Sequence, residues 1–104
     1  MISRIDQIQD LLKENPADSF LKHALALEYI KSGDDKSARL VFEELLTANP
    51  AYLGSYYHLA QLLERQELEQ EAILVYEKGM EIAKEQNDQH AYSELRSAYD
   101  NLIY

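Results

Sequence analysis

Three histidines, His23, His58 and His90, are the only imidazoles in this chain and the first residues to consider for chemistry. Histidine binds metals as the neutral ring and shuttles protons near neutral pH. A zinc-binding helix needs two of them on one face, as in His-Glu-x-x-His, and none of the three belongs to such a pair. The acidic run Glu64, Glu67, Glu69 and Glu71 is a second candidate. It straddles an expected turn between helices, which makes it a solvated face. A serine nucleophile would need a base and an oxyanion hole, yet no Gly-x-Ser-x-Gly turn exists, and glycines 33, 54 and 79 form no phosphate loop. Of the 8 tyrosines, Tyr29, Tyr56, Tyr76, Tyr92 and Tyr99 fall on packing stripes rather than on a base-stacking surface. No enzyme is expected, and no cofactor or metal.

Charge narrows the partners. The 104 residues carry 10 Lys and Arg against 19 Asp and Glu, a net charge of −9. That sign opposes sequence-independent attraction to nucleic acid or to anionic lipid. The imbalance is steeper late in the chain: six bases and nine acids in residues 1–52, four and ten in residues 53–104. A protein or peptide partner is therefore expected to be basic or amphipathic rather than acidic. The start, MISRIDQIQDLL, lacks the continuous apolar core of a signal peptide, and no stretch is long and apolar enough for a membrane span. With no cysteine in the chain, a cytoplasmic location is expected.

The elements that position these residues read as helices throughout, because apolar residues recur at intervals of three and four between few glycines and prolines. The first helix starts at Ser3, carries Ile5, Ile8, Leu11 and Leu12 on one stripe, and stops at Pro16. A second, capped by Asp18 or Ser19, runs to about Ser32 and ends at Gly33. A third spans Asp35 to about Ala48, with Ala38, Val41, Phe42 and Leu45 on its buried side. The remainder repeats the plan: a fourth helix from about Tyr52 to Arg65, a fifth from about Glu69 to Glu85, and a last from Asp88 to about Ile103. None of them is long enough to be stable alone in water.

The plan has a period. DLLKENP at residues 10–16 returns as ELLTANP at residues 44–50, 34 residues on. Leu25, Ala26 and Tyr29 map by the same step onto Leu59, Ala60 and Leu63, and Ala38, Val41 and Phe42 onto Ala72, Val75 and Tyr76. Glu28 to Leu62 and Lys36 to Gln70 are read as drift at exposed positions. Ala26 with Ala38, and Ala60 with Ala72, offer only a methyl group where two helices cross, so the axes can approach to roughly 8 to 10 Å. Gly79, mid-helix, costs about 1 kcal/mol relative to alanine and signals a close neighbour, with the last helix as the candidate.

These residues resemble the tetratricopeptide repeat, whose pattern sets an aromatic, a Leu-Gly pair and a Tyr on one helix before Ala, Phe and Pro on the next. The second unit supplies Tyr56, Leu59, Ala60, Leu63, Ala72 and Tyr76, and the first Leu25, Ala26, Tyr29, Ala38, Phe42 and Pro50. The fold expected is all-α, a single domain over residues 1–104 of about six antiparallel helices. It consists of a half-repeat helix (3–16), two repeats (19–52 and 53–86) and a capping helix (88–103). The pattern departs at Lys22, where an aromatic is usual, and at Glu67 and Lys84, which stand where the first unit has Gly33 and Pro50. Without that proline the fifth helix is free to run past Lys84. The last helix aligns after two extra residues, with Tyr92, Leu95 and Tyr99 inside.

The resemblance implies a right-handed superhelix whose concave side is lined by the first helix of each repeat, and a role as a non-catalytic protein-binding scaffold. Spacing places His23, Leu27 and Ile30 on that face of the second helix, Tyr57, Gln61 and Glu64 on the fourth, and Ser93, Ser97 and Asp100 on the last. A clamp of lysine, asparagine and arginine, with which some members of the family hold a partner's carboxylates, finds no match at His23, Leu27, Tyr57 and Gln61. The alternative function is a self-assembling unit that forms a homodimer or larger oligomer through exposed apolar edges or terminal helices.

Overall fold

The computed structural model describes residues 2–104. Six α-helices follow one another, with no strand among the described residues. The chain folds as two compact units divided after Pro50.

The first unit holds α1 (Arg4–Glu14), α2 (Ser19–Lys31) and α3 (Asp35–Ala48). Each start is fixed by a side-chain cap, because the first backbone N–H groups of a helix have no partner within it. Ser3 Oγ accepts from the Asp6 N–H at 3.1 Å, Asp18 from Leu21 at 3.0 Å and Asp34 from Ser37 at 3.1 Å. The ends of α1 and α3 are alike. Asn15 and Asn49 leave the helical region, at φ −135° and −140°, since the following proline disfavours helical geometry in the residue before it. Their N–H groups still reach Leu11 O and Leu45 O, at 3.0 and 2.7 Å. That shared termination is the physical content of the repeated Asn-Pro.

Helix α2 ends differently, at Gly33 with φ 83°. The Asp34 N–H reaches back to Tyr29 O at 2.8 Å and the Gly33 N–H to Ile30 O at 3.0 Å, the pairing of a Schellman turn. Ile8, Leu25, Ala26, Ala38, Phe42 and Leu45 form the core. Gln9 donates to the Tyr29 hydroxyl at 3.1 Å, joining α1 to α2, and Asn49 donates to Ser19 Oγ at 3.0 Å, joining the end of α3 to the start of α2. Leu11, expected on the buried stripe, is 48% exposed, whereas Leu45 one period later is fully buried. Within this unit α1 packs on α2 less extensively than α3 does, so equal sequence positions receive unequal cover.

The second unit holds α4 (Gly54–Arg65), α5 (Glu69–Glu85) and α6 (Gln89–Ile103). Helix α4 begins two residues later than the spacing suggests. Tyr52 and Leu53 instead offer their carbonyls to Ser55 and Tyr56 at 3.3 Å, in the tighter three-residue pattern. The Schellman pairing recurs at both turns of this unit, without glycine: Leu68 N–H reaches Leu63 O and Asp88 N–H reaches Ala83 O, each at 2.9 Å, with Glu67 at φ 61° and Asn87 at φ 57°. With Lys84 where α3 has its proline, α5 extends to 17 residues against 14 for α3.

Helix α4 is buried on more than one face: Ser55, Tyr56, Leu59, Ala60, Leu62 and Leu63 are all inside. Leu62, read from the sequence as exposed drift, is fully buried. Gly79 on α5 meets Tyr56 of α4 and Leu95 of α6, the close approach that its place in mid-helix implied.

Candidate binding cleft

Helix α5 packs against both α4 and α6, while α4 and α6 meet only sparsely, and the space left between those two is an open cleft of about 670 Å³. One wall is α4, with Tyr57, Gln61 and Glu64. The other is α6, with His90, Glu94, Ser97 and Asn101 along one stripe and Ser93 and Ala98 beside it. The spacing 57, 61, 64 thus brings together the α4 residues expected there, and joins them to Ser93 and Ser97. Asp100 is a correction. It forms an ion pair with Arg96 at 3.0 Å and does not line the cleft, whereas Asn101 does. The stripe on α6 takes its last step by four residues, where α4 takes its own by three. His90, Glu94, Ala98 and Asn101 were missed, although the interval 90, 94, 97, 101 is legible once Ser97 is placed.

At the floor, Tyr76 of α5 is fully buried and its hydroxyl donates to Glu64 Oε2. The Tyr76 hydroxyl oxygen in turn accepts from Gln61 Nε2 at 2.7 Å. Burial, and then the hydrogen bond to Glu64, push the Tyr76 phenol well above its usual range, so it remains a neutral donor. The expectation that Glu64 belongs to a solvated acidic run is therefore corrected: it is half-buried and held by Tyr76. No ion pair engages its carboxylate among the described residues. The cleft is lined by no lysine or arginine, and its one imidazole, His90, stands 3.4 Å from Glu94. Tyr57 is 36% exposed, with its ring edge-on to His58 at 5.8 Å. Burial, and secondarily Arg65, lower the affinity of His58 for a proton.

A second cleft, about 450 Å³, lies between α5 and α6. Its cations are already engaged: Arg96 binds Asp100 and the Lys84 ammonium lies 5.3 Å from the centre of the Tyr92 ring, while Tyr99 donates to the exposed Glu77 at 3.3 Å. In the first unit, His23, Leu27 and Ile30 follow one another along a face of α2, each half-buried, with His23 edge-on to Phe42 at 5.8 Å. Among the described residues, no three His, Asp or Glu side chains are grouped to hold a metal ion, and no helix is long and apolar enough to cross a membrane.

Comparison with known proteins gives a consistent picture. The tetratricopeptide repeat profile matches twice, at residues 21–52 and 53–86. A tetratricopeptide repeat domain protein of Salinibacter ruber, solved in solution, is 40% identical with a TM-score of 0.81, over 85% of this chain and 89% of that one. Its crystal structure gives 0.79 at 40% identity, over 82% and 94%. A protein of Bordetella parapertussis shares the fold, with a TM-score of 0.84 at 20% identity over 98% of this chain and 89% of that one. Mouse aspartyl/asparaginyl beta-hydroxylase is 32% identical over 74 residues, 71% of this chain, which spans only 10% of that protein's length.

Proposed function

Because this chain belongs to the tetratricopeptide repeat family, whose repeats are generally protein–protein interaction modules, we propose that it is a non-catalytic adaptor or chaperone-like scaffold holding a peptide or helix of a partner protein. The chain is read as one repeat domain and as cytoplasmic. The α4–α6 cleft is the proposed docking surface of the second unit. The observation that carries this reading is a cleft walled by the exposed Tyr57 ring and the half-buried Glu64, with no lysine or arginine along it. Such a surface favours a basic or amphipathic segment over an acidic one. In the first unit, His23, Leu27 and Ile30 are proposed as a partner-contacting face in their own right.

Affinity capture from the native host, followed by identification of the bound protein, tests the reading. Ser97→Tyr, which fills the cleft, and Tyr57→Ala with Leu27→Glu should each abolish capture while leaving the helical circular dichroism intact. Capture that survives both would remove these faces from consideration.

A second reading, self-association, is favoured by Leu40 and Leu74, which stand one period apart and are 61% and 65% exposed, together with Phe20 at 68%. Joining through the terminal helices is disfavoured. Arg4 stands one period before Ala38, and Arg96 aligns with Ala60, so a repeat assembled from α6 of one copy and α1 of another would set two arginines at the crossing where intact repeats have methyl groups. Light scattering from micromolar to millimolar concentration decides this reading: a monomer throughout would eliminate it.

A further inference from the structure

We infer that the α4–α6 cleft is a receptor for an arginine side chain presented by the partner, with the Glu64 carboxylate as its counter-ion. The inference rests on the cleft being the docking surface and adds what it recognises.

Glu64 is the starting point. A half-buried carboxylate without a cation is costly, because its desolvation is not offset by an opposite charge. Here the Tyr76 hydroxyl offsets part of that cost and fixes the direction in which the carboxylate points. A neutral donor supplies no charge, so the site remains complementary to a cation. Its other acceptors select among cations. Gln61 commits its amide nitrogen to Tyr76, which leaves Oε1 as an acceptor beside Glu64, and the Ser97 hydroxyl and Asn101 carbonyl add two more along the opposite wall. A guanidinium carries five donors in a planar fork and uses several acceptors together, whereas an ammonium is a compact and strongly hydrated point charge. Tyr57 stands seven positions before Glu64 on α4, about 10 Å along the helix axis. A long side chain entering the cleft can set its head at the carboxylate with its methylene stem leaning toward the ring. The second cleft differs on two counts: its carboxylates, Glu77 and Glu81, are exposed, and it is already lined by cations of its own, Lys84 and Arg96.

The test uses the full chain and four fluorescein-labelled dodecapeptides on one helical Ala/Gln/Leu background, alike except for a central Arg, Lys, norleucine or Glu. Fluorescence anisotropy should rank Arg above Lys by about threefold and above norleucine by about tenfold, with Glu weakest. Glu64→Gln keeps an acceptor for Tyr76, so the fold is retained, and should bring the Arg peptide to the level of norleucine. Tyr57→Ala should weaken the Arg and Lys peptides alike. Failure of the Arg peptide to bind, Arg binding no better than Glu, or Arg affinity unchanged by Glu64→Gln would each overturn the inference. Binding of the norleucine peptide that Ser97→Tyr abolishes, with no preference for Arg, would leave the docking surface standing and remove only the arginine receptor.

Discussion

A methyl group built on Gly79 would stand 2.8 Å from Cβ of Tyr56, closer than packed carbon atoms tolerate. It would also meet the two terminal methyls of Leu95, at 3.1 and 3.2 Å. Leu95 can rotate away, but the Tyr56 Cβ is tied directly to the backbone of α4. Gly79→Ala should therefore destabilise the protein, by about 1 to 2 kcal/mol after the roughly 1 kcal/mol gained in helix propensity. Urea denaturation measures the difference, and a gain in stability would mean that α4 and α5 can part at no cost.

Glu67 and Gly33 occupy the same place in their turns, both left-handed, at φ 61° and 83°. A side chain in that conformation costs roughly 1 to 2 kcal/mol, which glycine avoids at the expense of greater unfolded-state freedom. Glu67→Gly should stabilise the protein by about 0.5 to 1 kcal/mol. Asn87→Gly should give less, because asparagine accepts the conformation more readily. Thermal unfolding of the two variants checks the order.

The phenol of Tyr76 is pushed above its ordinary value of 10.0, so its neutral form is favoured in the folded protein. Its contribution is fully present below the unfolded value and is lost as pH rises beyond it. Alkaline destabilisation should set in near pH 10 and be smaller in Tyr76→Phe, which at neutral pH should cost about 1 kcal/mol for the lost hydrogen bonds. Denaturation at pH 8 and at pH 10.5 separates the two effects. An identical alkaline slope in both proteins would show that another group is responsible.

His58 carries the opposite dependence. Burial lowers its proton affinity below the ordinary value of 6.5, so the unfolded chain takes up the proton first as the solution is acidified. Its stabilising contribution is present above pH 6.5 and declines as pH falls toward the folded value, Arg65 adding to the effect and Glu94 opposing it. His58→Gln should flatten the loss of stability between pH 7.5 and 5, read as the shift in urea midpoint. An unchanged slope would assign the acid sensitivity elsewhere.

The boundaries of the capped helices were legible in the sequence because capping and termination are local: Asp34 binds the Ser37 N–H three residues on, and Asn49 is steered by the ring of Pro50, whereas α4, without a side-chain cap, starts two residues late. The close approach at Gly79 was legible too, since glycine inside a helix of good formers has a cost that a near neighbour explains. Spacing also placed Tyr57, Gln61, Glu64, Ser93 and Ser97 on one strip with His23, Leu27, Ile30 and Asp100, and the first five of these line one cleft. The stripe of α6 past Ser97 was not legible, because steps of three and four are both helical and only packing against α5 chooses between Asp100 and Asn101. By itself the sequence determined the period, the caps and the small residues at the helix crossings, all set by hydrogen bonds and sterics within a few residues. Tertiary structure alone decided that Leu62 is covered while Leu11 is not, and that Glu64 meets the hydroxyl of Tyr76. Burial depends on whether a second helix arrives at a given face, and a carboxylate's surroundings are supplied by residues distant in the chain.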